Sequence, residues 1–300
     1  MSLDLFLPEA GVTDLLTTWP DEPHVYDRGK TPLDQHLTAA SLREYVSTGC
    51  IPAEEIAAIK APNPSISQNA FKTNGRTDAD KLRTLHDNGF TLRLGNLQRV
   101  VPFLAQASRG IQEQTGYSNY IHAFMTPCGG QGLRHHWDQQ MAVIVQLQGQ
   151  KRWQLWRPPV EAPMREYNES FRVWKDDYVE RWTAAGPDLD IDLGAGQCML
   201  LPRGWVHNPS VREGAEASVH LTVAIRERTP MWLAEKLTAS AIEDPAFRRL
   251  LLPNVLLGEE LATVSDEVRH MLIAHLQAID APAMARLLRA AALKELEYTT

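Results

Sequence analysis

The chain has 300 residues, 44% of them hydrophobic, so it can bury a sizeable core in one large domain or two modest ones. A net charge of -7 at neutral pH gives no overall attraction to nucleic acid or to an anionic membrane, and we expect neither as a partner. The three cysteines lack CxxC spacing, no basic leader is followed by an apolar run, and no stretch of about 18 apolar residues occurs. We therefore expect a soluble, cytoplasmic protein.

The first part of the chain predicts mixed structure. Residues 1–94 combine short apolar runs with turn-rich segments, which is typical of an irregular α/β region. From 95 to 116 apolar residues recur at helical spacing, and Gly116 follows as a stop, so an amphipathic helix is predicted there.

The sequence pattern changes between residues 118 and 226, where short strand-like runs alternate with glycine-rich turns. The runs are NYIHAFMT, MAVIVQLQ, RWQLW, QCMLLP and SVHLTVAI. This pattern predicts a small antiparallel barrel or sandwich. The composition then turns to leucine, alanine, glutamate and arginine, and helices are predicted near 230–242, 266–279 and 282–296.

The segment HHWD follows the glycine-rich turn TPCGGQGL and carries the first candidate site residues. Residues two apart in a strand face the same side, so His136 and Asp138 can both face a barrel interior while Trp137 faces away. His135 would face the other side, and we prefer His136 as a metal ligand. His207, in PRGWVHNP, lies beside a turn near two predicted strands, and an antiparallel barrel can bring it opposite the pair.

These side chains offer two imidazoles and one carboxylate, the set that binds non-haem Fe(II) on one face and leaves positions open for oxygen chemistry. An oxygenase is therefore the leading hypothesis. The predicted metal ligands, which are also the predicted catalytic residues, are His136, Asp138 and His207. Each motif alone is weak, because an HxD pair arises by chance and a histidine near a strand end is more often a core or surface residue.

Lys151 begins the KRWQLW run after the Gly149 turn, and a hairpin would fold it back toward the metal. If a dicarboxylate cosubstrate chelates the metal at one end, its far carboxylate needs a buried cation or hydroxyl, and Lys151 supplies the cation. Thr222 is a candidate hydroxyl for the same carboxylate. The alternatives are a solvated lysine beside a turn and a threonine that only fills its strand.

The chain resembles the JmjC (cupin-like) oxygenases, and most closely their ribosomal oxygenase subgroup. The resemblance is carried by NYIHAFMTPCGGQGLRHHWDQQMAVIVQLQGQKRW, APMREY, LLPRGWVHNP and SVHLTVAI. It implies a mainly β fold with helical additions, whose core is a double-stranded β-helix of the jelly-roll or cupin type. The Fe(II) ligands that it implies are His136, Asp138 and His207. Lys151 would hold the carboxylate of the cosubstrate 2-oxoglutarate, with Thr222 nearby, and O2 would be the oxidant.

The resemblance also implies an organisation and an activity. The implied parts are an N-terminal α/β region that supports the barrel, a JmjC catalytic core and a C-terminal helical dimerisation region, over 1–94, 95–229 and 230–300. The implied reaction is hydroxylation of an amino-acid side chain in a protein or peptide, such as a ribosomal protein, by a homodimer. Phe124 stands where relatives often have tyrosine, so the resemblance does not carry over a polar contact at that position. Lys151→Ala is expected chiefly to raise the KM for 2-oxoglutarate.

Several alternatives stay open. The sequence ends at Thr300, before the winged-helix domain that ribosomal oxygenases usually add, which favours a 2-oxoglutarate-dependent hydroxylase of a small metabolite or biosynthetic peptide as the second hypothesis. A metal cupin with non-oxygenase chemistry and a non-catalytic binding module are the other two. The segment 161–185, rich in charged and aromatic residues, is either a substrate-facing lid or a solvated insertion.

Overall fold

The computed structural model describes residues 2–62, 65–164 and 174–295. Contacts divide the chain into one compact unit over residues 1–226 and another over 227–295. Within the described ranges, no helix combines the length and the apolar character needed to cross a membrane.

The first unit contains strands throughout its length. They are β1 (His24–Asp27), β2 (Ile56–Ile59), β3 (Lys72–Thr73), β4 (Arg76–Thr77), β5 (Thr91–Leu94), β6 (Asn119–Thr126), β7 (His136–Trp137), β8 (Met141–Gln148), β9 (Gln150–Trp156), β10 (Leu189–Gly194), β11 (Gln197–Leu201), β12 (Val206–His207) and β13 (Ser218–Ile225). Its helices are α1 (Glu9–Thr17), α2 (Leu33–His36), α3 (Ala39–Ser47), α4 (Ala79–Asp87), α5 (Pro102–Thr115) and α6 (Tyr178–Ala185).

Two antiparallel sheets form the core of this unit. The larger has the strand order β1-β11-β8-β13-β6-β5-β2, and the smaller has the order β10-β9-β12-β7. A separate hairpin joins β3 to β4. The predicted fold class, a mainly β protein with a double-stranded β-helix core and helical additions, is confirmed.

Alternation along β8 shows how the larger sheet is covered on both faces. Met141, Val143 and Val145 belong to a core that includes residues of the N-terminal helices. Ala142 and Ile144 belong to a second core, which fills the space between the two sheets with side chains from β9 and β10. Because both faces are buried, the strand reads as a nearly continuous apolar run.

The five predicted strand runs all form strands, and three of them coincide with β6, β8 and β13. The region over 1–94, predicted as irregular α/β, contributes β1 to one edge of the larger sheet and β5 and β2 to the other. It therefore extends the sheet as well as covering it.

The helix predicted over 95–116 is shorter than expected. Val101 is extended (φ -104°, ψ 108°), and α5 begins at Pro102, where the fixed φ of proline suits the first helical position. Leu97–Arg99 form a separate 3-10 turn. Gly116 ends α5 in the left-handed conformation (φ 73°), as predicted.

The second unit is helical, with α7 (Pro230–Ala239), α8 (Pro253–Leu257), α9 (Leu261–Ala278) and α10 (Ala281–Lys294). The three helices predicted in this region correspond to α7, α9 and α10. Glu295 joins the two ends of the unit, because its carboxylate accepts hydrogen bonds from Trp232 Nε1 (3.0 Å) and Lys236 Nζ (2.9 Å) and pairs with Arg228 (2.7 Å).

Candidate active site

The three predicted metal ligands meet at one point between the sheets. β7 carries His136 and β12 carries His207, and the antiparallel register places these residues directly opposite each other. The centroids of the two rings lie 4.1 Å apart, and His207 Nε2 lies 3.9 Å from Asp138 Oδ2. One ligand atom of each residue falls within 4.8 Å of the other two. This cluster could hold a single metal ion if the side chains draw slightly closer, since metal bonds to imidazole and carboxylate are about 2.0–2.2 Å long.

Backbone carbonyls fix the orientation of both imidazoles. His136 Nδ1 lies 2.7 Å from the carbonyl oxygen of Arg134, and His207 Nδ1 lies 2.9 Å from that of Trp205. A carbonyl oxygen only accepts, so each Nδ1 carries the hydrogen and each Nε2 keeps a free lone pair. This is the arrangement by which a histidine ligand is held ready for a metal.

The surroundings of His136 favour its neutral form. Burial lowers the pKa of His136 to about 4, and the neighbouring His207 adds to the effect, whereas the Asp138 carboxylate opposes it. A metal ion therefore does not have to displace a proton from this imidazole at neutral pH.

Trp137 lies on the opposite face of β7 and anchors the ligand strand. Its indole stacks on Trp174, with 5.4 Å between ring centroids, and meets Tyr178 and Trp182 edge to face. Tyr178 and Trp182 belong to α6, so this helix packs behind the strand that carries His136. Part of the segment 161–185 therefore supports the metal site from behind, while the hypothesis of a substrate-facing lid falls largely on residues 165–173, which lie outside the described ranges.

His135 lies on this aromatic side as well. Its ring stacks on Trp182 at 5.9 Å, and its Nε2 lies 3.2 Å from Asn208 Nδ2. The alternation along HHWD thus separates the two adjacent histidines, and His136 is the one that faces His207 and Asp138.

Lys151 faces the same interior from β9. Only 2% of the residue is exposed, whereas the next residue, Arg152, faces outward and pairs with Asp190. Lys151 Nζ donates a hydrogen bond to Thr126 Oγ1 (2.9 Å) and lies 6.0 Å from the centroid of the Phe124 ring. Burial lowers the pKa of Lys151 to about 7. A buried ammonium held by one neutral hydroxyl favours the arrival of an anion.

The metal cluster and Lys151 line one cavity of about 160 Å³. Thr222 also lines it, on β13 opposite His122 and Ile144 of the neighbouring strands. The hydroxyl that contacts Lys151, however, is that of Thr126. All five residues that the sequence predicts for the site line this cavity. The sequence does not predict Thr126, which accepts the hydrogen bond from Lys151.

The cavity contains other polar groups that sequence reasoning missed. His220 Nδ1 and Trp153 Nε1 are buried and have no hydrogen-bond partner within the described residues. The His220 ring stacks on Phe124 with 5.0 Å between centroids, and burial lowers its pKa well below the usual value, helped by Lys151 and His207. The alternation that places Thr222 on the inner face of β13 also places His220 there, so that signal was present in the sequence.

Comparisons with a family model and with curated proteins find similar sequences. The model of the JmjC domain matches residues 94–232. The chain is 29% identical over 203 residues to ribosomal oxygenase 1 of Danio rerio, covering 65% of this chain and 36% of that protein. It is 27% identical over 170 residues to the bifunctional lysine-specific demethylase and histidyl-hydroxylase NO66 of Drosophila mojavensis, covering 56% and 18%. The chain thus spans about a third or less of the length of these curated relatives.

Solved structures share the fold. The ribosomal oxygenase YcfD of Escherichia coli superimposes with a TM-score of 0.58 at 16% identity, covering 100% of this chain and 74% of that chain. The structure of YcfD in complex with cobalt and 2-oxoglutarate gives a TM-score of 0.57 at 15% identity, covering 98% and 73%. At such low identity these matches establish the architecture, and the chemistry has to be argued from the site itself.

Proposed function

We propose that this chain, whose residues 94–232 match the JmjC domain, is an Fe(II)- and 2-oxoglutarate-dependent oxygenase that hydroxylates an amino-acid side chain in a protein or peptide. One observation carries the proposal: a single cavity holds both a cluster of two histidines and one carboxylate and a buried lysine. The cluster matches the ligand set of non-haem Fe(II) oxygenases, and the lysine matches a dicarboxylate cosubstrate.

The residues present fit an iron ion. His136, Asp138 and His207 would hold it, since both Nε2 atoms have free lone pairs and the carboxylate lies beside them. The chemistry that Fe(II) supplies when bound is the use of O2 to convert 2-oxoglutarate into succinate and CO2 while one oxygen atom enters a C–H bond. The protein holds the reactants in a cavity walled by buried side chains, which limits access of water.

The residues also fit 2-oxoglutarate. Lys151 would bind its far carboxylate, and Thr126 orients the ammonium for that contact. His220 Nδ1 and Trp153 Nε1 are buried polar atoms without a partner among the described residues, and a cosubstrate that reaches them offers hydrogen bonds. Thr222 is a further proposed contact, because it shares the inner face of β13 with His220.

The substrate proposed first is a residue of a protein or peptide, as the names of the relatives suggest. Ribosomal oxygenase and histidyl-hydroxylase are names of those proteins, and a ribosomal target for this chain is part of the proposal. A small metabolite or a biosynthetic peptide is the second candidate, favoured by the small cavity of about 160 Å³. A non-oxygenase metal cupin is less well supported, since it has no use for the buried Lys151.

An anaerobic titration tests the proposed chemistry. Apo protein is titrated with Fe(II) and 2-oxoglutarate while the visible charge-transfer band of the chelated keto acid is recorded. We expect the band in the wild type and its loss in Asp138→Ala, which removes a ligand. Asp190→Ala is the matched control, because this carboxylate pairs with Arg152 on the outer face of β9. Bound iron without a band in the wild type would replace the oxygenase with a cupin of another chemistry.

We also propose that the protein is a cytoplasmic homodimer assembled through the helical unit of residues 227–295. The four helices of this unit contain no buried residue in the single chain. Large apolar side chains are exposed there, among them Leu257 (90%), Leu250 (81%) and Leu287 (64%). A second copy that covers them removes this apolar area from water. The three cysteines are all free, which suits a reducing compartment.

A further inference from the structure

Arg93 is a second cation in the wall of the cavity, and the proposed chemistry does not use it. It lies on β5, opposite Phe124 of β6, and it lines the same cavity as Lys151 and His136. Its Nε is buried without a partner, and no hydrogen bond or ion pair of its side chain occurs within residues 2–62, 65–164 and 174–295. Burial lowers the pKa of Arg93, so the guanidinium has lost part of its hydration.

The carboxylate that acts on Arg93 through its charge is already engaged elsewhere. Tyr120 and Glu55 both raise the pKa of Arg93 through their charges, and Glu55 is the carboxylate of the two. Its two oxygens accept hydrogen bonds from Arg99 (3.0 Å) and from Asn96 Nδ2 (2.8 Å). Arg93 is thus a desolvated cation whose compensating anion is not supplied by these neighbours.

The charges present once Fe(II) and 2-oxoglutarate are bound indicate that the missing partner of Arg93 is an anion. Fe(II) contributes two positive charges and Lys151 one, and they are balanced by the two carboxylates of 2-oxoglutarate and by Asp138. The two histidine ligands are neutral when they bind a metal. Arg93 is left as one uncompensated positive charge at the cavity wall. A guanidinium in such a place binds a planar carboxylate with two parallel hydrogen bonds.

The surrounding wall is suited to a polar substrate group. Tyr120, His122 and Gln140 line the cavity with Arg93, and Gln140 Nε2 donates a hydrogen bond to the Tyr120 hydroxyl (2.6 Å). His122 Nδ1 accepts a hydrogen bond from the backbone N–H of Asn96 (3.1 Å), so in the neutral ring Nε2 carries the hydrogen. Burial lowers the pKa of His122 to about 4, with Arg93 adding to the effect, so Arg93 supplies the positive charge of this wall.

We propose that Arg93 binds a carboxylate of the molecule that is oxidised, and so selects acidic substrates. The inference rests on the proposed oxygenase function, because it assigns Lys151 to the cosubstrate. The carboxylate comes either from an acidic side chain of a peptide or from the free α-carboxylate of an amino-acid-like metabolite. Either source gives the same contact at Arg93.

The experiment uses the whole chain of 300 residues loaded anaerobically with Fe(II) and saturating 2-oxoglutarate. The charge-transfer band is recorded first, so that failure of the oxygenase proposal is seen as its absence. Acetate is then titrated as the minimal carboxylate, with acetamide as the neutral isostere, and binding is followed by calorimetry and by the shift of the band. We expect acetate to bind at least about tenfold more tightly than acetamide, and this preference to vanish in Arg93→Met.

Four further variants serve as controls for this experiment. Arg93→Gln replaces Arg93→Met if the latter fails to fold, and Arg93→Lys should retain part of the preference because it keeps the charge and loses the planar fork. Arg152→Met, on the outer face of β9, should leave acetate binding unchanged.

Equal acetate binding in the wild type and Arg93→Met overturns the inference. A rise in the dissociation constant of 2-oxoglutarate in Arg93→Met, matching that of Lys151→Met, also overturns it, since Arg93 would then serve the cosubstrate.

A last comparison separates the two sources of the carboxylate. Succinate formation is measured with free L-aspartate and with an aspartate residue blocked by acetyl and amide groups in a short peptide, each against its asparagine counterpart. Stimulation by the blocked aspartate peptide, lost in Arg93→Met, assigns the contact to an acidic side chain. Stimulation by both free amino acids assigns it to the α-carboxylate. Stimulation by asparagine peptides alone, unchanged in Arg93→Met, rejects an acidic substrate.

Discussion

At the scale of single residues, the adjacent histidines His135 and His136 offer a matched test of the metal site. His136 faces His207, whereas His135 stacks on Trp182 behind the strand. We expect His136→Ala to weaken Co(II) binding at least about a hundredfold, because loss of a ligand costs more than loss of a group that only orients one. His135→Ala should leave the affinity within a few-fold. Calorimetric titration of both apo variants, with folding checked by circular dichroism, gives the comparison, and equal weakening by the two substitutions would contradict this ligand assignment.

The burial of Lys151 predicts a pH dependence of cosubstrate use. Its pKa is lowered to about 7, so in the free protein the ammonium is present below that pH and is lost as the pH rises through it. Since kcat/KM reports on the free enzyme, its value for 2-oxoglutarate should fall above about pH 7. Lys151→Arg, which stays charged, should remove the fall, and Lys151→Met should raise the KM roughly tenfold to a hundredfold. Initial rates of succinate formation between about pH 6 and 9 provide the test; a wild-type profile that parallels that of Lys151→Arg would count against this role.

At the scale of elements, the turn between β8 and β9 determines where Lys151 lies. Gly149 has φ +66°, and a Cβ there would come within 2.5 Å of the Ala217 carbonyl oxygen. Gly196, in the turn between β10 and β11, has φ +86° and open space around its Cα. Alanine in a left-handed conformation destabilises both variants by about 1 kcal/mol. In Gly149→Ala the backbone around Ala217 must also shift to make room for the new Cβ.

We therefore expect Gly149→Ala to lower the free energy of unfolding by at least about 1 kcal/mol more than Gly196→Ala does. Urea denaturation followed by tryptophan fluorescence measures both values. Gly149→Ala should also raise the KM for 2-oxoglutarate, because the hairpin positions Lys151. A smaller loss of stability in Gly149→Ala than in Gly196→Ala would show that the contact with Ala217 relaxes without cost.

The strands of the barrel could be predicted because their information is local. The apolar runs of β6, β8 and β13 end at glycine-rich or polar turns, so their bounds follow from the sequence. The start of α5 does not follow from spacing, because helical spacing continues through Leu97 and Val101, whereas Pro102 fixes the first turn. The strands β1, β2 and β5 could not be assigned, since each is short and gains its partner only from the larger sheet.

The candidate site could also be predicted only where the information is local in the sequence. His136 and Asp138 follow from alternation within one segment, and both face the cavity. Thr126 could not be identified from the sequence, because its contact with Lys151 joins β6 to β9 across the two sheets. Arg93 was missed for a related reason: nothing near it in the sequence indicates that β5 lies beside β6 in the cavity wall.

At the scale of the whole molecule, the proposed homodimer has its interface in the helical unit of residues 227–295. Its helices contain no buried residue in the single chain, and Leu257 is 90% exposed. Covering a leucine is worth about 1.5–3 kcal/mol, and a glutamate in its place would have to be buried as a charge.

Leu257→Glu and Leu287→Glu together should therefore shift the protein from dimer to monomer at micromolar concentration. Leu16→Glu is the matched control, because Leu16 is 43% exposed on α1 of the other unit and should leave the dimer intact. Sedimentation velocity resolves the two species. A wild type that sediments as a monomer would refute the dimer, and a double variant that stays dimeric would place the interface elsewhere. If each monomer also retains the charge-transfer band, the active site is complete within one chain.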